Sequence, residues 1–126
     1  MTLRGEVGSG WGQRLQIPNA DRGVIDPMGL HGYLLSHSHQ VGRFKAACFL
    51  ALGYSPEDWR RLEADLRSQH LPKDATPEER TSYGQKYAIR ATLVGPSGRA
   101  ADVVSVWFVR RGEEFPRFVT AYPEGG

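Results

Sequence analysis

Residues 100–123 read AADVVSVWFVRRGEEFPRFVTAYP, two apolar runs joined by a short charged turn. In the first run the residues of odd and of even number alternate, and both sets are mostly apolar: Val103, Ser105, Trp107 and Val109 against Val104, Val106 and Phe108. An extended strand with two apolar faces is covered on both sides. This run is therefore predicted to be the central strand of a sheet, with the second run beside it.

The run before this segment predicts a third strand. Over residues 83–94, Tyr87 and Ile89 belong to an apolar set that alternates with a polar set containing Lys86 and Arg90. Such alternation is typical of a strand with one buried and one wetter face. The glycine-rich turn GPSGR follows, so the three strands are predicted to form an antiparallel meander, with Lys86 and Arg90 on its wetter face.

Helices are predicted before the sheet. Asp26-Pro27 is a capping residue followed by a proline at the first helical position, so a short helix should run from Pro27 to about Leu35. Apolar residues recur at helical spacing between residues 41 and 52, and Gly53 is a fitting stop. Ser55-Pro56 repeats the capping pattern ahead of a third helix with a buried stripe of Trp59, Leu62 and Leu66.

Helices followed by strands predict an α+β domain, in which N-terminal helices pack on a C-terminal antiparallel meander of three or more strands. Residues 17–126 are predicted to form this single domain, and residues 1–16, rich in glycine, to be a flexible leader. The segment 71–82 contains two prolines among charged residues and is predicted to be an exposed connection, with one helical turn at Pro77–Arg80.

Composition and charge limit the partners, the binding sites and the cellular compartment that we expect for this chain. The 126 residues have a net charge of only +2, which permits a polyanionic partner without requiring one. The single cysteine excludes an internal disulfide and a cysteine-based zinc site, and favours a reducing cytoplasm. No apolar run approaches the roughly 18 residues of a membrane span, so no membrane partner is expected. No motif indicates a cofactor.

The candidate proton-transfer residues lie around residue 40. His37 and His39 flank a serine, but no third metal ligand is near in sequence, so no metal site is predicted. The pKa of an ordinary histidine suits proton transfer at neutral pH, which makes His39 a candidate acid or base, although a loop histidine in water is the simpler interpretation. Arg43 and Lys45 begin the second helix, where they could bind a phosphate or simply be solvated.

A second set of candidates lies on the predicted sheet. Its cations are interleaved with aromatic residues, the combination that RNA binding uses for phosphate pairing and base stacking. The alternative is that the aromatic residues belong to a half-buried core. At the end of the chain a cation, a hydroxyl and a phenol could bind an anion together. The candidates are Lys86, Arg90, Trp107, Arg117, Thr120 and Tyr122.

From Ile17 onward the chain resembles a bacterial family of uncharacterised domains. The matching pieces are IPNADRGVID, YLLSHSHQVGRFKAACFLALGYSPEDW, GQKY, GPSGR and above all VSVWFVRRGEEFPRFVTAYP. Members resemble, in size and in helix-then-sheet order, the ribonuclease toxins grouped around barnase, RelE and colicin-type nucleases, and such domains are associated with toxin and antitoxin gene pairs. Members commonly have a proline after the histidine at the position of His39, whereas this chain has Gln40.

The resemblance implies a toxin-type, metal-independent ribonuclease that cleaves RNA by attack of the 2′-hydroxyl. In that role His39 or Lys45 would move the proton, and Arg117 with Lys86 or Arg90 would stabilise charge on the phosphate. The alternative is a non-catalytic binding module, such as an antitoxin or immunity partner or an RNA-binding domain. RNA and a cognate antitoxin or immunity protein are the partners that these hypotheses predict.

Overall fold

The computed structural model describes residues 15–30 and 42–124, with side chains in the second range from residue 46 onward. Helices precede a sheet, as predicted. The helices are α1 (Pro27–Gly29), α2 (Gly42–Ala51) and α3 (Trp59–Gln69), and the strands are β1 (Thr76–Thr81), β2 (Gly84–Val94), β3 (Ala100–Arg110) and β4 (Pro116–Pro123). Short 3-10 turns cover Ala20–Arg22 and Pro56–Asp58. No helix in the described ranges is long and apolar enough to cross a membrane.

The helix boundaries follow from local chemistry. The Asp26 carboxylate accepts a hydrogen bond of 3.0 Å from the backbone N–H of Met28, which caps α1. The Ser55 hydroxyl accepts one of 3.3 Å from the backbone N–H of Asp58, so the capping pattern begins with a 3-10 turn that leads into α3. Gly53 ends the second helix with a φ of 102°, a left-handed conformation that glycine adopts without strain. The part of the first predicted helix beyond Leu30 lies outside the described residues.

The sheet is a four-stranded antiparallel meander in the order β1-β2-β3-β4, which confirms the predicted fold class. The prediction for Pro77–Arg80 was wrong, because this stretch belongs to strand β1 rather than to a helical turn. Strand β1 is polar and lies at the edge of the sheet, and its register with β2 shifts between Pro77 and Arg80. An edge strand needs partners on one side only and tolerates proline, so its sequence lacks the apolar alternation of a central strand.

The two faces of the sheet differ in what covers them. On the face that we call the core face, Ile89 and Trp107 pack with Phe49 of α2 and with Leu62 and Leu66 of α3, all of them fully buried. The opposite face, here the outer face, has a smaller apolar cluster whose buried members are Ala88, Val104 and Val106, with Tyr122 packed against them. The helices therefore cover one face, as the helix-then-sheet order predicted.

Two segments before the helices add backbone pairing. Val24 lies parallel to β4, where its N–H donates to the Pro116 carbonyl at 2.9 Å and its carbonyl accepts from Phe118 at 2.8 Å. Leu15 pairs with Ala75 through two backbone hydrogen bonds of 2.8 and 3.2 Å. Leu15, which the sequence pattern assigned to the flexible leader, is thus bonded to the domain, while residues 1–14 lie outside the described residues.

Gly95 allows the turn between β2 and β3 to approach the end of the second helix closely, and its replacement should be costly. A Cβ at this position would lie 2.2 Å from the Leu52 carbonyl oxygen and 2.6 Å from the Leu52 Cβ. We expect Gly95→Ala to lower the free energy of unfolding by roughly 1–3 kcal/mol, because backbone must move to relieve the overlap. Urea unfolding would measure this. Gly29→Ala is the control, since its Cβ would meet Phe118 at an ordinary 3.9 Å; equal stability of the two variants would contradict the expectation.

Candidate functional site

Three rows of cross-strand neighbours run over the outer face. The first row is Lys86, Phe108 and Arg117; the second is Ala88, Val106 and Thr120; the third is Arg90, Val104 and Tyr122. Neighbouring strands lie about 5 Å apart, so the backbones of Lys86 and Arg117 are roughly 10 Å apart, within reach of one phosphate for two long side chains. The register therefore brings five predicted site residues to one face: Lys86, Arg90, Arg117, Thr120 and Tyr122.

A β-bulge in β4 is what assembles this set. Residues 117 and 120 are three positions apart, so in a regular strand their side chains would point to opposite faces. The register of β4 with β3 shifts between Val106 and Trp107, and Val119 is the extra residue. Arg117 consequently shares the outer face with Thr120, whereas simple alternation of the sequence separates them.

The guanidinium of Arg117 is held in one orientation by an acidic partner from the β3–β4 turn. Its Nε and Nη2 donate to the two carboxylate oxygens of Glu113, both at 2.9 Å, and it lies 5.4 Å from the centre of the Phe115 ring. This hydrogen bonding holds the pKa of the Glu113 carboxyl below its ordinary value and raises the pKa of Arg117. Arg110 approaches the same carboxylate at 3.9 Å. An ionised, doubly contacted Glu113 is a poor proton acceptor and a good positioning group for Arg117.

Arg90 and Tyr122 occupy the far end of the candidate site. Arg90 forms an ion pair of 3.4 Å with Glu124, and both side chains are nearly half exposed. A pair this exposed is weak, and a stronger anion can displace it. The Tyr122 ring packs against the apolar cluster of the outer face. Both side chains therefore lie on the same surface as Lys86 and Arg117.

Trp107 does not belong to this surface. It is fully buried on the core face, where its ring meets Phe118 edge-on at 5.3 Å between centroids. Its indole N–H donates to the Ser105 hydroxyl at 2.8 Å, and this hydroxyl is also bonded to Nδ1 of His70 at 2.8 Å. A ring enclosed in this way cannot stack on a base, so the predicted binding role of Trp107 is corrected to a role in the core.

Phe108 is the aromatic residue that the sequence reasoning missed. It pairs with Lys86 on one side and Arg117 on the other, so this partly exposed aromatic residue lies between two basic residues of the neighbouring strands. The sequence could have indicated Phe108, because Phe108 and Trp107 are adjacent in a strand and their side chains point to opposite faces. Once Lys86 was placed on the wetter face, the hairpin register would have put Phe108 beside it.

Comparison with known proteins identifies the family. Residues 16–125 match the model of a family described as a domain of unknown function, DUF6883. The chain belongs to this family. This chain has no significant match among curated proteins. A solved structure described as "Contact-dependent growth inhibition toxin - immunity protein complex from Klebsiella pneumoniae 342" contains a chain similar in fold, with a TM-score of 0.52 and 20% identity over 85% of this chain and 97% of that chain.

The predicted acid–base residues of this DUF6883 domain are only partly described. His39 lies outside the described residues, and Arg43 and Lys45 are on α2 without described side chains. His70 is the one histidine within residues 15–30 and 42–124, and it is fully buried. In the same ranges no three metal-ligating side chains come together. The described part of the candidate site therefore offers arginine and lysine side chains, and no exposed histidine lies within the described ranges.

Proposed function

We propose that this domain is a toxin-type ribonuclease that cleaves RNA by attack of the substrate's own 2′-hydroxyl. The observation behind the proposal is the first row of the outer face, in which Lys86 and Arg117 are the cross-strand neighbours of Phe108. Two cations on either side of an aromatic ring suit a phosphate and its neighbouring base. The likeness in fold to a chain of a toxin–immunity complex supports the same class of function.

The chemistry draws its nucleophile from the substrate. The 2′-oxygen forms a bond to the adjacent phosphorus while the bond to the 5′-oxygen of the next nucleotide breaks, which leaves a cyclic phosphate and a free 5′-hydroxyl. Arg117, with Lys86 or Arg90, would stabilise the negative charge that develops on the phosphate oxygens. His39 or Lys45 would take the proton from the 2′-hydroxyl or supply one to the leaving oxygen.

Glu113 has a defined part in this proposal. Its carboxylate orients the guanidinium of Arg117 before substrate binds, through two hydrogen bonds of 2.9 Å. A phosphate would share or displace these bonds, since a guanidinium has five N–H donors. Preorganised donors of this kind stabilise a transition state because they need no rearrangement as charge develops.

A second candidate function is a non-catalytic binding module, such as an immunity partner. The observation that favours it is that Arg117 and Arg90 are already paired with Glu113 and Glu124. Charged groups on an interface fix the register and choice of a protein partner, and exposed pairs can exchange partners on binding. The fold likeness supports both candidates, because the similar chain comes from a complex of a toxin with its immunity protein.

Induced expression in a bacterial culture separates the two functions. We expect the wild-type chain to arrest growth and to fragment total RNA, and Lys45→Ala and Arg117→Ala to relieve both effects. Arg99→Ala is the matched control, because Arg99 is an exposed arginine in the turn at the other end of β3. Normal growth with intact RNA for the wild-type chain would reject the ribonuclease and favour the binding module.

A further inference from the structure

An exposed aromatic residue on an ordered turn lies next to the candidate site. Tyr83 is 78% exposed, yet its backbone is fixed, because its N–H donates to the Thr81 hydroxyl at 3.1 Å and its carbonyl accepts from the N–H of Arg111 at 2.7 Å. The second of these bonds joins the β1–β2 turn to the β3–β4 turn. A large ring presented to solvent on a fixed backbone loses little conformational freedom when it binds a partner.

The Tyr83 ring borders a groove that continues into the candidate site. This groove, here the Tyr83 groove, has a volume of 520 Å³ and is lined by Ser82, Tyr83, Phe108, Arg110 and Arg111. A neighbouring groove of 360 Å³ shares Phe108 and Arg110 with it and also includes Arg117. The two grooves together lead from Arg117, past Phe108, to Tyr83.

Gly84 sets the position of the Phe108 ring beside this groove. A Cβ at Gly84 would lie 2.8 Å from Cε2 of Phe108 and 2.1 Å from the Val109 carbonyl oxygen, so only glycine allows the strands and the ring to approach so closely. Gly84 has a φ of 151°, which also favours glycine. Tyr83 thus exposes its ring to solvent, and Gly84 beside it leaves room for the ring of Phe108.

The charges of the groove match a polyanion. Arg110 and Arg111 are both exposed, and the side chain of Arg110 is 58% exposed even though it lies 3.9 Å from Glu113. That carboxylate is already bonded to Arg117 through both oxygens, which leaves the cations in excess. Aromatic rings interleaved with arginines are the arrangement by which proteins hold single-stranded nucleic acid.

We propose that the Tyr83 groove binds a nucleotide of single-stranded RNA adjacent to the scissile phosphate. Its base stacks on Tyr83 and Phe108, and its phosphate pairs with Arg110 and Arg111. The choice of RNA rests on the proposed function, and the choice of a single strand rests on the rings, because the bases of a duplex are stacked on one another and unavailable.

The test is the affinity of the full chain for a short, labelled 2′-O-methyl oligonucleotide, which lacks the attacking hydroxyl and so stays intact. We expect Tyr83→Ala to weaken binding of the single strand about tenfold, and Tyr83→Phe, which keeps the ring, to bind like the wild type. Arg111→Ala should reduce the slope of log affinity against log salt by about one. Binding of a duplex of the same sequence should not respond to Tyr83→Ala.

Several outcomes would overturn the inference: Tyr83→Ala with unchanged affinity, a duplex bound as tightly as the single strand, or a chain that binds a cognate protein through Tyr83 and no RNA. Its failure is distinguishable from that of the proposed function. RNA cleavage with an unchanged KM in Tyr83→Ala would reject the Tyr83 groove and keep the ribonuclease. Binding that depends on Tyr83, without cleavage of ordinary RNA, would keep the Tyr83 groove and reject the ribonuclease.

Discussion

Replacing Arg117 with alanine is expected to lower the rate of RNA cleavage by about 10²–10³-fold, the usual effect of removing one preorganised donor from developing charge. The fold should persist, because the guanidinium bonds to Glu113 of the adjoining turn and the side chain is partly exposed, so its loss leaves no enclosed cavity. Purified protein and a fluorogenic RNA substrate would give the rate. Arg99→Ala should cleave like the wild type.

Replacing Glu113 with glutamine should change KM and kcat for RNA cleavage separately. Loss of the carboxylate charge removes an anion that competes with phosphate, so we expect a lower KM. It also weakens the two hydrogen bonds that orient Arg117, so kcat should fall as well.

An Arg117→Ala protein that is folded, as judged by circular dichroism, and cleaves RNA at the wild-type rate would exclude Arg117 from the reaction.

Acidification should destabilise the domain through His70. Burial lowers the pKa of His70 to about 4; the charge of Lys73 adds to this shift, and the Ala91 backbone partly offsets it. The folded-state pKa lies below the ordinary 6.5, so below pH 6.5 the unfolded chain takes up a proton that the native chain does not. Stability is therefore lost between about pH 6.5 and pH 4, by roughly 3 kcal/mol in full and about 2 kcal/mol by pH 5.

His70→Asn isolates this effect. An asparagine amide can bond to the Ser105 hydroxyl in place of the imidazole Nδ1, and it does not titrate. We expect the variant to be less stable at pH 7 by about 1–3 kcal/mol, and to approach the wild type as the pH falls. Urea unfolding of both proteins from about pH 7 to about pH 4.5 would measure the gap. A gap that stays constant with pH would show that folding does not lower the pKa of His70.

Most of the elements could be predicted because their signals are local. Asp26-Pro27 and Ser55-Pro56 marked helix starts, and Gly53 marked a stop. Alternation of apolar and polar residues marked β2, and a continuous apolar run marked β3. Strand β1 could not be predicted, since its six residues are TPEERT and all but Pro77 are exposed. Such a strand forms only because β2 offers it a row of hydrogen-bonding groups.

The candidate site shows more clearly what could not be predicted from the sequence. The chemical types, a lysine, arginines, a hydroxyl and a phenol near the chain end, were evident from residues 86–122. The choice of aromatic residue was wrong, because Trp107 and Phe108 are adjacent and equally apolar, and the pairing of Phe108 with Lys86 was not followed through the hairpin. Packing of the helices encloses Trp107 on the opposite face. Glu113 was overlooked as well, since nothing local indicates that it bonds to Arg117.

The sequence by itself therefore determined the order of helices and strands and the kinds of side chain available, because capping and periodicity act over a few neighbouring residues. Only the tertiary structure decided which side chains share a face. A single extra residue at Val119 reverses the alternation of β4 and places Arg117 with Thr120 and Tyr122. A bulge depends on pairing with another strand, so its effect appears only when β3 and β4 are in register.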